Sequence, residues 1–538
     1  MKNATAILSL LHEPIGRHSG TRRFRGEPVI AWTLDRLSRC QSLQRRAIVC
    51  WEDQMPALAG LIDEYQCHAL VKGPRVTLPA VEAIAAAQRW SDGWRGGLLG
   101  TCEFDRGFHG PFFVEVVERL DAELAVLVDP SSALVDPTLI DELVRAAHRK
   151  PDVPYFFAPV APGLAGLLLR RTLLEKLAKC GLHPGRLLHF QPHSPSRDPL
   201  SSDACLPVPT VAARTTLRFK LDSDRQVERI NAGTLSLNGT LVSTEAEQLV
   251  NRLSTLPFSD PLPRDVTLEL TVRRATRPRF AATRLPLARV DLDRDLAARL
   301  FDELAQADDV RLMLGGAGDP LLHEELPWII EQAIRSGISA IAVETDLVGI
   351  GRERAAWLAE SGIDVVSLHL PALGAETYAR LMGVACFDEA MENLQSLLVA
   401  RRQLGRGVPI VVPLFTKCRD NFHEMEAWYD RWLTALGAAV IREPSTFAGK
   451  LPVLGVADMS PPQRRPCERL RGRITVLSDG TVTTCEEDVV GAQALGRLGT
   501  DRLGDLWTGR LARVREDHGR GGWTDYCVCS GCNEWHRP

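Results

Sequence analysis

The chain closes on YCVCSGCNEWHRP, which sets Cys527, Cys529 and Cys532 within six residues of one another. Two single thiols, Cys467 and Cys485, stand upstream, so the stretch from Cys467 onward holds five of the thirteen cysteines. Cys467, Cys485, Cys529 and Cys532 form two separated thiols plus a C-x-x-C pair. Four thiolates in that pattern can surround a tetrahedral zinc ion or a cubane iron-sulfur cluster, and spacing alone does not separate the two. Cys527 is a fifth thiol, either a spare ligand or a substitute for Cys529. So short a segment has little apolar content to hold itself, and a bound metal or cluster commonly stands in for core. Asp479-Gly480, inside RITVLSDGTVTTC, is a tight-turn signal that folds its flanking strands antiparallel and delivers Cys485 to the thiols.

A chain of 538 residues is long for one hydrophobic core, and several domains are expected. Hydrophobic residues at 45% and charged residues at 25% are ordinary for a globular protein and argue against a disordered or fibrous class. The formal charge of −4 gives no electrostatic reason to bind nucleic acid or an anionic membrane. ATAILSLL runs straight into HEP with no cleavage-site pattern, so it reads as a buried strand and not a signal peptide. No run of 18 apolar residues occurs, and no membrane span is expected. The expectation is a cytoplasmic protein, where thiols stay reduced and grouped cysteines serve metal or redox chemistry.

These thiols need elements to position them. AILSLL, RAIVCW, LAVLVD and YFFAPV read as buried strands alternating with helices such as PVIAWTLDRLSRC and PTLIDELVRAAHR. That is α/β order, with a mainly parallel sheet covered on both faces. The loop STLPFSDPLPRD marks a boundary near residue 258. Beyond it come VTLELTV, VRLMLGG, SAIAVETD, VVSLHL, PIVVPLF and AAVIREP, most followed by an amphipathic stretch. Six β/α units in a row suggest an open, partial barrel over 259–455. The loop-rich segment 456–538 follows it.

CERLRGRITVLSDGTVTTCEEDVVG together with the distal YCVCSGCNEW resembles the SPASM, or "twitch", extension of radical S-adenosylmethionine enzymes. The resemblance covers Cys467 to Trp535. It implies that a first cysteine, a second after the D-G hairpin and the distal C-x-x-C hold an auxiliary [4Fe-4S] cluster. His518, Trp535 and His536 fall near that cluster. Surface placement is expected for each, and Trp535 is the better candidate to shield the cluster than to take part in chemistry.

The preceding segment resembles a radical S-adenosylmethionine barrel. MLGGAGDPLLHEELPWIIEQAIRSGISAIAVETD is similar to the family's second strand, glycine loop, helix and third strand, and DVVSLHLPALGAETYARLMG to its fourth-strand region. The resemblance implies that Gly315, Gly316 and Asp319 approach the amino group of S-adenosylmethionine, with Asp319 where Glu is usual; the alternative is that this glycine-rich turn from strand to helix is simply a compact barrel loop. The family's cluster motif, C-x-x-x-C-x-x-C after E-L-T, is missing. In ELTVRRATRPRFA those positions are Arg274, Pro278 and Ala281. None can ligate iron as a soft anion, and Cys386 and Cys418 read as packing residues. A barrel degenerate for radical chemistry is expected. Arg273, Arg274, Arg277 and Arg279 at its mouth are either an anion site or a solvated loop.

In the first unit, TRRFRGEPVIAWTLDRLSRC resembles the segment after the nucleotide-binding loop of sugar nucleotidyltransferases, the cytidylyltransferases in particular. LAVLVDPSSALVDPTLIDELV and LRFKLDSDRQVERI resemble the strands carrying their acidic groups. The resemblance implies that Asp129 and Asp222 hold Mg²⁺ against nucleotide phosphates, with Asp224 as neighbour. Glu27 replaces the usual lysine in RGEP, which opposes a triphosphate. Arg22, Arg23 and Arg25 remain as phosphate contacts or plain surface.

The order of the pieces resembles the spiro-SPASM group. It implies an iron-sulfur protein with one C-terminal [4Fe-4S] cluster, serving electron transfer, a protein partner or small molecule, or structure. An active metal-dependent nucleotidyltransferase acting on a sugar or lipid precursor and a zinc-bound interaction module are the alternatives.

Overall fold

The computed structural model describes residues 3–14, 17–190, 194–237, 239–256 and 260–537. The chain divides into two compact units, Met1–Pro257 and Phe258–Pro538. The boundary expected near 258 falls among residues 257–259, outside the described residues.

The first unit is built on β1 (Ala4–Ser9), β2 (Arg45–Cys50), β3 (His68–Val71), β4 (Leu124–Leu127), β5 (Tyr155–Phe157) and β6 (Leu167–Arg170). They form one sheet in the order β3-β2-β1-β4-β6-β5, with β1, β2, β3 and β4 parallel. β6 pairs antiparallel to both β4 and β5. Strand periodicity of two sends Ala4, Ala6 and Leu8 of β1 into one apolar cluster and Ile7 into another, so the sheet is buried on both faces. Helices α1 (Val29–Ser38) and α2 (Pro137–Arg149) cover it, with Asp136 capping α2 by accepting from the Thr138 amide.

Two of these strands, β3 and β6, were not expected. Conversely, LRFKL, expected as a strand carrying Asp222, forms no strand. Both flanks of β4 are already paired, with β1 and β6, so the segment finds no ladder. Its amides bond to loops instead, Phe219 to Pro162 O and Leu221 to Ser131 O.

The second unit contains β7 (Asp265–Leu268), β8 (Arg311–Leu314), β9 (Ala340–Thr345), β10 (Val365–His369), β11 (Ile410–Thr416) and β12 (Val440–Arg442). They lie side by side in chain order, all parallel. These are the six runs read from sequence; the inner strands β8 to β11 are largely apolar and buried, as a parallel sheet covered on both faces requires. β12 is an edge of the sheet. At the other end β7 pairs parallel with β13 (Arg473–Val476), which turns back into β14 (Thr481–Thr483) and then β15 (Ala494–Arg497). The parallel array and the segment after residue 455 therefore share one nine-stranded sheet. They also share one core, in which Val266 and Leu268 lie with Ile474, Val476 and Trp507.

Candidate metal centre

The turn of the β13–β14 hairpin sits at Gly480, which holds φ at +85°, and the Leu477 amide donates to Thr481 O at 2.8 Å. In an antiparallel hairpin the start of the first strand and the end of the second lie at one open end. Cys467 precedes a single helical turn, Glu468–Arg471, that leads into β13, and Cys485 follows β14 by two residues. That geometry brings the two separated thiols together. The short turn Cys527–Ser530 supplies Cys529, and Cys532 follows. Cys467, Cys485, Cys529 and Cys532 all line one cavity. Cys527 lies outside it, exposed, with its thiol directed to Ala492 O.

Burial pushes all four lining thiols up: Cys529 to about 11, Cys532 to about 12, Cys467 and Cys485 in the same direction. Arg469 and Arg464 pull them the other way, but burial outweighs both. They ionise only when a metal offsets the charge, so binding must release protons. Amide donors already wait on the sulfurs, Glu534 N at 3.3 Å from Cys532 Sγ and Gln493 Nε2 at 3.9 Å from Cys529 Sγ.

The rest of the lining is mixed. Arg464, Arg469, His518 and Trp535 face the same cavity. His518 and Trp535 are buried, contrary to the surface placement expected of them, and His536 is half-buried. Arg469 pairs with Glu486 at 3.1 Å and Glu487 at 3.5 Å, and Arg464 Nη2 donates to Cys529 O at 2.6 Å.

At the end of the parallel array, the position vacated by the first expected cysteine is filled. Arg274 Nε donates to Asp346 Oδ2 at 2.7 Å, and its Nη2 reaches Asp346 Oδ1 and His369. His369 Nδ1 lies 2.8 Å from Asp346 Oδ1, its Nε2 meets Glu344, and Arg442 Nη2 donates to Glu344 at 2.8 Å. Burial opposes the charge on Asp346, but Arg274 outweighs it and holds the carboxyl below its ordinary range. Of the other arginines, Arg273 pairs with Asp291 and Arg279 with Asp420 at the surface, and Arg277 is exposed. Pro278 and Ala281 are buried without a polar side chain.

The glycine loop follows β8. Gly316 holds φ at +123° with Glu269 against it, and a Cβ on Gly318 would stand 2.2 Å from Thr271 O. Glu269 is clamped by Arg289 through two bonds of 2.9 Å and accepts from the Ala317 and Ser478 amides, tying β7, the loop and the hairpin turn. Asp319, 1% exposed, accepts from Leu321 N, Thr345 Oγ1 and Asp346 N at 2.8–3.0 Å. Its carboxylate thereby ties the glycine loop at Gly315 and Gly316 to the end of β9.

In the first unit the structure brings Asp129 and Asp222 together, through cations of the chain. Lys220 Nζ lies 2.9 Å from Asp129 Oδ2, and the Ser131 amide donates to Oδ1 at 2.8 Å. Arg218 Nη1 donates to Asp222 Oδ1 at 2.7 Å, and Arg106 bridges Asp222 to Asp129, 3.8 Å from the latter. Burial works against both carboxylates, yet Lys220 with Arg106, and Arg218 with Arg106, hold them well below their usual range. A divalent cation would have to displace one lysine and two arginines, so this donor set does not fit Mg²⁺. Asp224 is remote in role, an exposed partner of Arg22. Arg25 binds Asn231 and Thr234, Arg23 is exposed, and Glu27 is exposed in a two-residue strand.

Residues 467–533 match the SPASM family. Its description is an iron-sulfur cluster-binding domain. A protein of Treponema pallidum (strain Nichols), described only as uncharacterized, is 25% identical over 228 residues, 41% of this chain and 62% of that protein. The chain thus spans less than two thirds of that relative's length. Among solved structures, BtrN in complex with AdoMet and 2-DOIA aligns at TM-score 0.36 and 16% identity, over 51% of this chain and 94% of BtrN. Streptococcus suis SuiB bound to the precursor peptide SuiA aligns at 0.40 and 11%, over 71% and 93%. A cytidylyltransferase from Leptospira borgpetersenii aligns at 0.34 and 11%, over 48% and 100%.

Sequence reasoning set His518 near the cluster but at the surface, and it missed Arg464, just before the SPASM segment, as a lining residue. A signal for His518 was present. Leu511, Val514 and His518 fall at i, i+3 and i+7 on helix α3 (Leu511–Gly519), the buried stripe of an amphipathic helix. Arg464 precedes the first cysteine in an irregular stretch with no periodicity to read. Among the described residues no helix is long and apolar enough to cross a membrane.

Proposed function

We propose that Cys467, Cys485, Cys529 and Cys532 hold one [4Fe-4S] cluster serving electron transfer or the docking of a partner, on a parallel array that does not cleave S-adenosylmethionine. One observation carries the reading: four buried or half-buried thiols from three separate stretches line a single cavity inside a segment that matches an iron-sulfur cluster-binding family. Thiols that enclose a volume support a multi-atom cluster over a single zinc.

When bound, the cluster supplies one-electron chemistry. The chain's own groups do the rest. Cys467, Cys485, Cys529 and Cys532 give up their protons, the Glu534 amide and Gln493 direct N–H groups at sulfur, and Trp535 and Leu470 exclude water. At the array, Arg274 occupies a position where the resembled family has a cysteine, and its charge is consumed by Asp346, which supports a scaffold without a second cluster.

Anaerobic reconstitution of the full chain tests this. The expected product is brown, with about four irons and four sulfides per chain, and Cys485→Ala loses them. Under strong reductant with S-adenosylmethionine, no deoxyadenosine forms. Colourless, iron-poor protein, or deoxyadenosine above background, rejects the reading.

A further inference from the structure

Two side chains that line the thiol cavity hold buried nitrogens with no partner among the described residues. His518 is 1% exposed, and neither ring nitrogen has a partner among the described residues. Arg464 lines the same cavity, and its Nε is also buried without a partner. Leaving one buried polar group unpaired costs about 1–3 kcal/mol. Two such donors around one cavity call for an acceptor inside it. The ring has no other place to go: Trp523 and Tyr526 box it at centroid distances of 6.3 and 5.9 Å, and Tyr526 is itself fixed by donating to Asp517 Oδ2 at 2.6 Å.

We infer that His518 donates a ring N–H to a sulfur of the cluster and thereby raises its reduction potential, an inference that rests on the reading of this cavity as a cluster site. Thiolate and sulfide sulfurs are acceptors bearing the cluster's negative charge. Four thiols already supply one ligand to each of four irons, so the imidazole acts on sulfur and leaves iron alone. Adding an electron makes the sulfurs more negative, and a fixed donor in a low-dielectric cavity stabilises the reduced form more than the oxidised one. Arg464 Nε, on the same cavity wall, works in the same direction.

The test compares reduction potentials of the reconstituted full chain as wild type, His518→Gln and His518→Leu, by redox titration followed by electron paramagnetic resonance. Iron and sulfide content stay at the wild-type level. His518→Leu is expected to lower the reduced-to-oxidised ratio about tenfold at a fixed poise, a downward shift of about 59 mV for one electron. His518→Gln, which keeps an N–H, shifts less. An unchanged potential in fully loaded His518→Leu overturns the inference and leaves the cluster standing, whereas a wild type that takes up no iron or sulfide removes the cluster reading itself. Should His518→Leu fail to load, pulsed resonance on reduced wild type with ¹⁵N-histidine decides. A weak ¹⁵N coupling that persists in His536→Gln is expected; no coupling, or one large enough for direct iron ligation, overturns the proposal.

Discussion

Arg274 Nε donates to Asp346 Oδ2 at 2.7 Å, and the two side chains are 4% and 1% exposed. Removing one member of a buried pair strands the other's charge. Arg274→Ala is therefore expected to cost about 3–5 kcal/mol in urea unfolding. The double variant Arg274→Ala/Asp346→Asn should recover part of that loss, since no bare carboxylate remains. A single variant within about 0.5 kcal/mol of wild type would show that the pair does not hold the array.

Cys527 and Cys529 stand two residues apart but on opposite sides of the question. Cys529 is buried in the thiol cavity and Cys527 is exposed outside it. Cys527→Ala is expected to keep its full iron and sulfide after reconstitution, and Cys529→Ala to lose most of both. Equal loss in the two variants, measured by iron and sulfide assay, contradicts the ligand set.

Every oxygen of Asp129 and Asp222 faces a donor of the chain, with Lys220, Arg106 and Arg218 supplying the positive charge. Millimolar Mg²⁺ should leave the thermal midpoint unmoved. Pyrophosphate release from nucleoside triphosphates should not exceed that of Asp129→Ala. A Mg²⁺-dependent upward shift, or Asp129-dependent release, would restore the nucleotidyltransferase alternative.

Glu103 gives a pH signature. Burial raises its pKa from 4.5 to about 7, with Lys220 pulling the other way, and its Oε1 has no partner among the described residues. A carboxyl raised on folding favours the neutral form. Its contribution is intact below pH 4.5 and is lost as pH rises through 7. Gln is neutral throughout and can still accept from the Gly163 amide, which lies 2.9 Å from Glu103 Oε2. Glu103→Gln should therefore gain on wild type between pH 5 and 8, by up to about 3 kcal/mol. Urea midpoints across that range measure it, and a pH-independent difference counts against it.

The amino-acid order by itself determined what is local or periodic. Six apolar runs announced β7 to β12, Asp479-Gly480 announced the hairpin turn, and the cysteine spacing announced a thiol-rich site, because a strand, a turn and a C-x-x-C pair are each set by residues a few positions apart. What the tertiary structure alone decided is which distant groups meet. Arg274 finds Asp346 72 residues away and Lys220 finds Asp129 91 residues away, converting an emptied cluster position and an expected Mg²⁺ pair into closed ion networks. Cys529 was brought to the cavity wall while Cys527 was left exposed, and His518 was turned inward, by the packing of short elements against the hairpin. No spacing rule encodes such choices, because a buried charge or donor takes whatever partner the assembled fold presents, and desolvation makes that partner decisive.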